Sequence, residues 1–185
     1  MKSRPAALVV VESMFGNTDH LARAVAAGLQ DAGVDTAVVD VAAAPVNLSA
    51  DLDLLVLGAP THAFSLSRPS TRADAVRQGA SPERAARGMR EWLSAVLPQD
   101  PRHSPVTAVF DTRVSKVRRL PAAAGPRAAR LARRRGLTVL GRPEAFLVAD
   151  VCGPLVDGEI ERAAAWGHNL AEALASRVSS RARST

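Results

Sequence analysis

A short polar segment near the start of the chain, Ser13-Met14-Phe15-Gly16-Asn17-Thr18, could bind an anionic group. It lies between an apolar run at 6–12 and a helical pattern that begins immediately afterwards. Unpaired amide groups at a helix N-terminus bind phosphate well. Gly16 lets the backbone turn and come close to a ligand. An ordinary strand-to-helix turn capped by Thr18 has the same composition, so this segment alone predicts either a turn or a phosphate site.

Other chemistry finds little support in the sequence. The segment lacks the lysine of an NTPase phosphate loop and the Gly-x-Gly-x-x-Gly pattern of dinucleotide-binding proteins, so it suits a monophosphate. The four histidines and the one cysteine, Cys152, are far apart in the sequence. They do not have the spacing of metal ligands, so no metal site is expected. No pair of carboxylates and no Ser/His/Asp grouping is recognisable, so no catalytic residue is assigned.

Five apolar runs alternate with helical patterns. Apolar residues throughout a strand indicate that both of its faces are buried, which predicts a parallel sheet covered by helices on both sides. The strands are expected at 6–12, 34–41, 52–59, 105–111 and 137–150, with the last interrupted near Gly141-Arg142-Pro143. Helices are expected after Gly16, after Ser81-Pro82 with an apolar face from Met89 to Leu97, before Gly136, and from Asp157 to Ser176.

Ligands of such sheets bind beyond the carboxyl ends of the strands, where the strand order reverses. The loops at this edge are therefore expected to form the site: Ser13–Thr18, Pro60–Arg72, Asp111–Leu120 and Val151–Gly158.

The length of 185 residues and a hydrophobic fraction of 47% predict one domain, placed at 1–178, with a frayed basic tail at 179–185. No apolar run reaches the roughly 18–20 residues of a membrane span. The first residues do not resemble a signal peptide, because no small-residue cleavage site follows the apolar run.

A single cysteine excludes an internal disulfide and favours the reducing cytoplasm. Cys152 itself is expected to be a buried thiol.

The formal net charge of +6 is concentrated in one segment. Residues 102–142 contain eleven arginines or lysines and one acidic residue, Asp111. This segment is either a solvated face or a surface for an acidic partner or an anionic ligand. Nucleic acid is a less favoured ligand, because no aromatic residues alternate with the basic ones.

Three segments together resemble the flavodoxin family. Ser13–Thr18 is similar to its phosphate loop, Ser/Thr-x-x-Gly-x-Thr after the first strand. "LGAPTHAF" at 57–64 looks like the flavin-side loop after the third strand, and "AVFDTR" at 108–113 looks like the loop after the fourth. The resemblance covers nearly the whole chain. It implies a flavodoxin-like, doubly wound α/β fold: a five-stranded parallel sheet in the order 2-1-3-4-5, with helices on both faces.

The resemblance also implies FMN as the cofactor, with its phosphate at the first loop and its isoalloxazine between the second and third loops. The FMN-binding residues that it implies are Ser13, Met14, Phe15, Gly16, Asn17, Thr18, Pro60, Thr61, His62, Ala63, Phe64, Asp111, Thr112 and Arg113.

The chain departs from electron-carrier flavodoxins in two respects. Met14 and Phe15 stand where those proteins often have hydroxyl residues, and Ser-Met-aromatic-Gly is closer to flavodoxin-like quinone reductases and flavodiiron proteins. The chain has no tyrosine and only two tryptophans, Trp92 and Trp166, both at helix-core positions. His62 and Phe64 are therefore the candidates for contact with the ring.

The segment 64–81 is longer than a simple connection requires, and long loops in compact domains tend to be functional. Ser70 is expected to cap a short helix through Val76. Arg68 and Arg72 are expected either to lie over the flavin and attract an anion or to belong to an exposed basic loop.

Three classes of function agree with these residues. The first is an FMN-binding redox protein, which is either an electron carrier or an FMN-dependent oxidoreductase of a quinone-like or porphyrinogen substrate. Its redox partner would be an acidic protein or a quinone-like molecule. The second is a flavodoxin-fold binding module that has lost the flavin. The third is a basic domain that binds anions or nucleic acid.

Overall fold

The computed structural model describes residues 4–98, 104–118 and 122–182. In chain order its elements are β1 (Ala6–Val11), α1 (Asn17–Asp31), β2 (Asp35–Asp40), β3 (Asn47–Leu48), β4 (Leu54–Pro60), α2 (Pro69–Arg77), α3 (Met89–Ala95), β5 (Leu97–Pro98), β6 (Val106–Val114), α4 (Ala124–Arg134), β7 (Thr138–Val139), β8 (Glu144–Val148) and α5 (Glu159–Ala182).

The main sheet is parallel, with the order β2-β1-β4-β6-β7, and β8 also pairs with β6. In register, Val106 lies opposite Thr138 of β7, and Phe110 lies opposite Glu144 of β8. The two short strands therefore share the fifth position, on either side of the predicted interruption at Gly141. With β7 and β8 counted as one strand and the two-residue strands β3 and β5 set apart, the predicted order 2-1-3-4-5 is confirmed.

Helices cover both faces of the sheet, as predicted. On one face, α1 and α5 pack over a core that includes Leu21, Val25 and the mutually perpendicular rings of Phe110 and Phe146. On the other face, α3 and α4 cover a second core around Trp92. Because the strands are buried on both sides, only their ends are open to a ligand.

The segment after Ser81 differs from the single helix expected there. A 3₁₀ turn at Pro82–Ala85 is followed by a new helix, α3, that starts at Met89. The reason is a separate N-terminal cap: the Gly88 N–H donates to the Glu91 carboxylate, and the Met89 N–H donates to the buried Glu12 carboxylate. Leu97, expected on the apolar helix face, lies in β5 and is exposed.

Two other helix ends also differ from expectation. Ser70 does not cap α2, which begins at Pro69, and the Arg68 N–H donates instead to the Thr71 hydroxyl. The last helix continues beyond Ser176 to Ala182. Within the described ranges, no helix is long and apolar enough to span a membrane.

Candidate cofactor site

The first loop, residues 13–18, exposes a row of backbone donors. Across the part of the chain that the structure describes, the N–H groups of residues 14–18 donate to no protein acceptor. The first paired amide is that of Asp19, which donates to the Ser13 hydroxyl at 3.2 Å, and His20 then donates to the Gly16 carbonyl at 3.0 Å. Gly16 has a φ of 94°, so the chain turns there in the left-handed region. Such a concave row of amides at a helix N-terminus is an anion-binding arrangement.

Side chains of this loop tie it to neighbouring loops. The hydroxyls of Thr18 and Thr112 share a hydrogen bond of 3.0 Å, and the Asn17 amide donates to the Cys152 carbonyl at 3.1 Å. Thr18 is the second residue of α1, whose N-cap is Gly16, so the expectation that Thr18 caps the helix is wrong. Because these side chains already have partners, an anion here would be held mainly by the backbone.

The apolar residues of the loop have a packing role. Met14 is buried against Ala75 and Ala80, and Phe15 packs on the same small cluster. The segment 64–81 thus folds back as α2 onto the first loop. Met14 and Phe15 provide the apolar side of this contact.

The second loop ends in a tight hairpin. The His62 N–H donates to the Ser65 carbonyl at 2.8 Å, and the Ser65 N–H donates back to His62 at 3.0 Å. Between them Ala63 has a φ of 45° and Phe64 a φ of 60°, which together make a type I′ turn. Phe64 is 51% exposed at the tip. Positive φ in a residue with a Cβ costs roughly 1–2 kcal/mol, so the surrounding structure must hold this turn.

Arg72 is the centre of the structure beneath that hairpin. Only 3% of it is exposed. Its Nη1 donates to the Ser67 hydroxyl at 3.0 Å and to the Glu91 carboxylate at 3.1 Å, and its Nε donates to the Ala85 carbonyl at 3.0 Å. The expectation that Arg72 lies over a flavin is therefore wrong, because its guanidinium is enclosed by the protein. Arg68, by contrast, is exposed.

Two titratable groups near the loops have shifted pKa values. Burial, with help from the charge of Arg72, lowers the pKa of His62, so its imidazole is neutral at pH 7. Burial raises the pKa of Glu12, and the Met89 amide, Ser67 and Arg72 oppose that shift. One oxygen of Glu12, Oε1, is buried without a hydrogen-bond partner among the described residues. Glu12 is closed off from solvent, whereas His62 is half-buried.

The third loop contains a closed ion pair. Asp111 is fully buried, and its two carboxylate oxygens accept from Nε and Nη2 of Arg113, each at 2.8 Å. The Gly125 N–H also donates to Asp111, at 2.7 Å. Asp111 is thus a structural partner of Arg113, whose charge it balances. Of the basic residues that follow, Lys116 and Arg118 are exposed, while Arg119 lies outside the described residues.

A cleft joins the loops at the carboxyl edge of the sheet. Its cavity volume is about 170 Å³, and its mouth is open to solvent. It is lined by Met14, Phe15, Asn17, Thr18, Pro60, Thr61, His62, Ala63, Thr112, Arg113, Val114, Val148 and Val151.

The cleft brings together most of the residues that the sequence indicated. Ser13, Gly16, Phe64 and Asp111 do not line it; the first two shape the loop, Phe64 lies at the hairpin tip, and Asp111 lies below the surface. The sequence analysis missed Val114, Val148 and Val151, because valines at a strand end carry no chemical signal.

The loop after β8 adds an unexpected thiol. Cys152, expected to be buried, is exposed, because it lies in the turn whose carbonyl is held by Asn17 and not under the sheet. No group of three or more histidines, cysteines or acidic residues in the described ranges is placed to bind a metal.

Solved structures share this architecture along nearly the full chain. A flavodoxin from the domain Archaea superposes with a TM-score of 0.59 at 20% identity, covering 91% of this chain and 98% of that one. Flavodoxin 1 from Bacillus cereus gives 0.56 at 16% identity, with coverages of 88% and 94%. The rubredoxin oxygen:oxidoreductase of Desulfovibrio gigas gives 0.60 at 12% identity; the match covers 95% of this chain and 38% of that larger chain.

No protein-family model and no curated protein matches the sequence. The likeness therefore lies in the backbone, and it agrees with the strand order and with the loops at the carboxyl edge. On these grounds the chain has a flavodoxin-like fold.

Proposed function

We propose that this chain binds FMN and works as a redox protein. The phosphate of the cofactor would lie on residues 13–18, and its isoalloxazine would lie in the cleft between 60–64 and 111–113. The fold supports this proposal, since the matched structures are named as flavodoxins and as an oxidoreductase of rubredoxin and oxygen. The flavin would supply the electron chemistry, and the protein would supply binding, orientation and electrostatics.

The observation that carries the proposal is the row of unpaired amides at residues 14–18. A phosphate dianion satisfies several such donors together, and the dipole of α1 adds favourable charge. The chain offers no lysine in this loop, which agrees with a single phosphate and not with a triphosphate. Thr61 keeps the opposite wall in place, because its N–H donates to the Thr112 carbonyl and its hydroxyl accepts from Ala124, the first residue of α4.

The walls of the cleft suit a flat, partly apolar ring. Phe15, Val114 and Val151 offer apolar contact, and the neutral imidazole of His62 adds a polar edge. The residues that line the cleft include no tryptophan, and Trp92 is buried in the core. We therefore expect weaker binding of FMN than in flavodoxins that enclose the ring between large aromatic residues.

The residues that line the cleft also indicate which kind of reaction it can support. Among the residues that line the cleft, Arg113 is already paired with Asp111 and His62 is neutral, so the cleft supplies no strong acid or base. This favours electron transfer, or reduction of a quinone-like molecule by the flavin, over chemistry that needs a protein catalyst. The exposed thiol of Cys152 supports a reducing compartment such as the cytoplasm.

A glycine pair provides the test. Gly16 and Gly33 flank the two ends of α1, both have a positive φ, and neither leaves a Cβ in a clash. Gly16→Ala and Gly33→Ala should therefore lose similar stability, roughly 1–2 kcal/mol. Only Gly16→Ala should bind FMN about tenfold more weakly, because the added Cβ would hinder the close approach of a phosphate to the backbone of this loop.

Quenching of FMN fluorescence in a titration measures this affinity, and urea denaturation of the same variants measures the stability. Equal FMN affinities of the two glycine variants would overturn the phosphate assignment. Failure of the unmodified chain to quench FMN at all would overturn the proposed function and favour a binding module without flavin.

A further inference from the structure

We propose that Arg68, Arg90 and Arg127 form a second anion-binding site, beside the hairpin at 62–65, that takes a carboxylate or phosphate group. This site is separate from the first loop and does not depend on the cofactor. Its ligand would be an oxyanion group carried either by a small molecule or by an acidic side chain of a partner protein.

Arg90 is the fixed member of the site. Its Nε donates to the Ser67 carbonyl at 3.1 Å, and its Nη2 donates to the Leu66 carbonyl at 2.9 Å and to the Ser65 hydroxyl at 3.2 Å. These three bonds use one edge of the guanidinium, whose five N–H groups form a rigid fork. In the described ranges, the remaining Nη1 group donates to nothing, so Arg90 is oriented by protein but not satisfied by it.

Arg127 has a buried side-chain donor without an acceptor among the described residues. It lies near the start of α4, which packs against α3, the helix that carries Arg90. Its Nε is buried, and no acceptor for it is found among the residues that the structure describes. A buried donor without a partner is unfavourable by about 1–3 kcal/mol, and more when it is charged. A bound anion would provide the missing acceptor.

The charges around Arg90 are unbalanced. Burial and the neighbouring positive charges of Arg127 and Arg68 lower the pKa of Arg90, and Glu91 and Glu12 oppose that shift. The hydrogen bonds of these carboxylates go elsewhere, because Glu91 bonds to Arg72 and the Gly88 N–H, while Glu12 accepts from the Met89 N–H. Excess positive charge therefore remains on the three arginines.

The chemistry of three guanidiniums selects the ligand. Arginine forks match the geometry of carboxylate and phosphate oxygens, and charge-assisted hydrogen bonds are roughly twice as strong as neutral ones. Arg68 follows Ser67 directly, so it continues the segment 65–67 that Arg90 holds and lies at the start of α2. An anion held here would lie next to the loop that forms one wall of the cleft.

The other arginines of α4 are exposed and can serve as controls. Arg130, Arg133 and Arg134 line an open groove with Arg142, which runs along the helix from Pro126. All of them are exposed, and positive charge near a helix C-terminus is favourable without any ligand. They are matched controls for Arg127, because they carry the same charge on the same helix and have exposed side chains, whereas the Nε of Arg127 is buried.

The test follows arginine side-chain Nε–Hε signals by NMR in the flavin-free chain labelled with ¹⁵N-arginine. The probes are succinate, inorganic phosphate and a hexaglutamate peptide. The variants are Arg68→Gln, Arg127→Gln and the control Arg133→Gln, each checked for an unchanged melting curve, and Gly16→Ala reports on the first loop.

We expect saturable shifts of the Arg127 and Arg90 signals with succinate. Arg68→Gln and Arg127→Gln should each raise the dissociation constant about tenfold, the effect of losing one charge-assisted hydrogen bond. Arg133→Gln and Gly16→Ala should leave the succinate affinity within about twofold, in line with their distance from the site. A peptide that competes with succinate would identify an acidic protein as the source of the anion, and a peptide that does not compete would identify a small molecule.

Shifts that rise linearly without saturation, or that Arg133→Gln weakens as much as Arg127→Gln does, would overturn the site. Loss of binding in Gly16→Ala alone would assign the anion to the first loop and also overturn it. Neither result depends on whether FMN binds, so the proposed function is tested separately.

Discussion

The first and second loops both need a backbone with positive φ, and they meet that need differently. In the first loop the left-handed residue is Gly16, which adopts this conformation freely. In the second loop it is the pair Ala63 and Phe64, although type I′ turns favour asparagine and glycine. The first loop therefore keeps its shape by local preference, while the hairpin keeps its shape only because other residues hold it.

The supports of the hairpin are visible beneath it. Arg90 binds the segment 65–67 that follows the turn, and the buried Arg72 donates to the Ser67 hydroxyl. Backbone strain is common in loops at functional sites. There the surrounding structure holds a conformation that the residues of the loop would not adopt by themselves. The comparison predicts that changes in the supports alter the second loop strongly, and that changes in the turn residues themselves have small effects.

The largest effect should come from Arg72→Met. This variant removes the partner of Glu91, the donor to Ser67 and the donor to Ala85, so we expect a loss of about 3 kcal/mol in the free energy of unfolding. Arg77→Met on the same helix breaks an exposed pair with Asp74 and should change stability by less than about 1 kcal/mol. Urea denaturation measures both. Similar losses in the two variants would mean that the buried network does not support the hairpin.

A smaller effect should come from Glu12→Gln, at the end of β1 and directly before the first loop. The folded-state pKa of Glu12 is raised above its usual 4.5, so the folded chain binds this proton more tightly than the unfolded chain. The contribution of Glu12 to stability is then complete below pH 4.5 and is lost as the pH rises through the folded-state pKa.

Glutamine cannot ionise and can still accept from the Met89 N–H, so the variant should gain on the unmodified chain as the pH rises. We expect a relative gain on the order of 1 kcal/mol at pH 8, because glutamine removes the cost of ionising a carboxyl group in a buried position. Thermal unfolding at pH 4.5 and pH 8 measures it. A difference between the two chains that does not change with pH would show that Glu12 ionises as freely in the fold as outside it.

The smallest effect, and the one whose sign is most informative, should come from Ala63→Gly. Relief of roughly 1–2 kcal/mol of left-handed strain is partly offset by the roughly 0.5–1 kcal/mol that glycine loses in chain entropy. The net result should be a gain of up to about 1 kcal/mol in unfolding free energy. Ala43→Gly, at an exposed turn residue without positive φ, should lose stability instead. Loss of stability in both variants would mean that Ala63 is not strained.

The sequence predicted the fold well for a physical reason. Strands with apolar residues on both faces can only be buried between helices, and the residue types after β1, β4 and β6 change abruptly at the open edge of the sheet. The break in the single helix expected after Ser81 could not be predicted, because the Met89 N–H at the start of α3 donates to the carboxylate of Glu12, 77 positions away in the chain.

The role of a site residue was predictable where it depends on the residue type and its sequence neighbours. It was less predictable where it depends on a partner that is distant in the chain. Gly16 carries its own signal, since its role is conformational. Arg72 gave no sign of burial, because its partners come from three separate segments. Asp111 and Arg113 could have been paired from sequence, since residues two apart on a strand point to the same side. The packing of Met14 against α2 required the tertiary structure.

The turn after β8 offers a practical route to follow the cleft in solution. Cys152 is the single cysteine of the chain, its side chain is exposed, and its carbonyl accepts from Asn17 of the first loop. A maleimide dye therefore attaches at one defined position without any engineered cysteine. Its emission would report entry of a molecule between Asn17 and Val151, so occupancy could be timed by stopped flow in an otherwise unaltered protein.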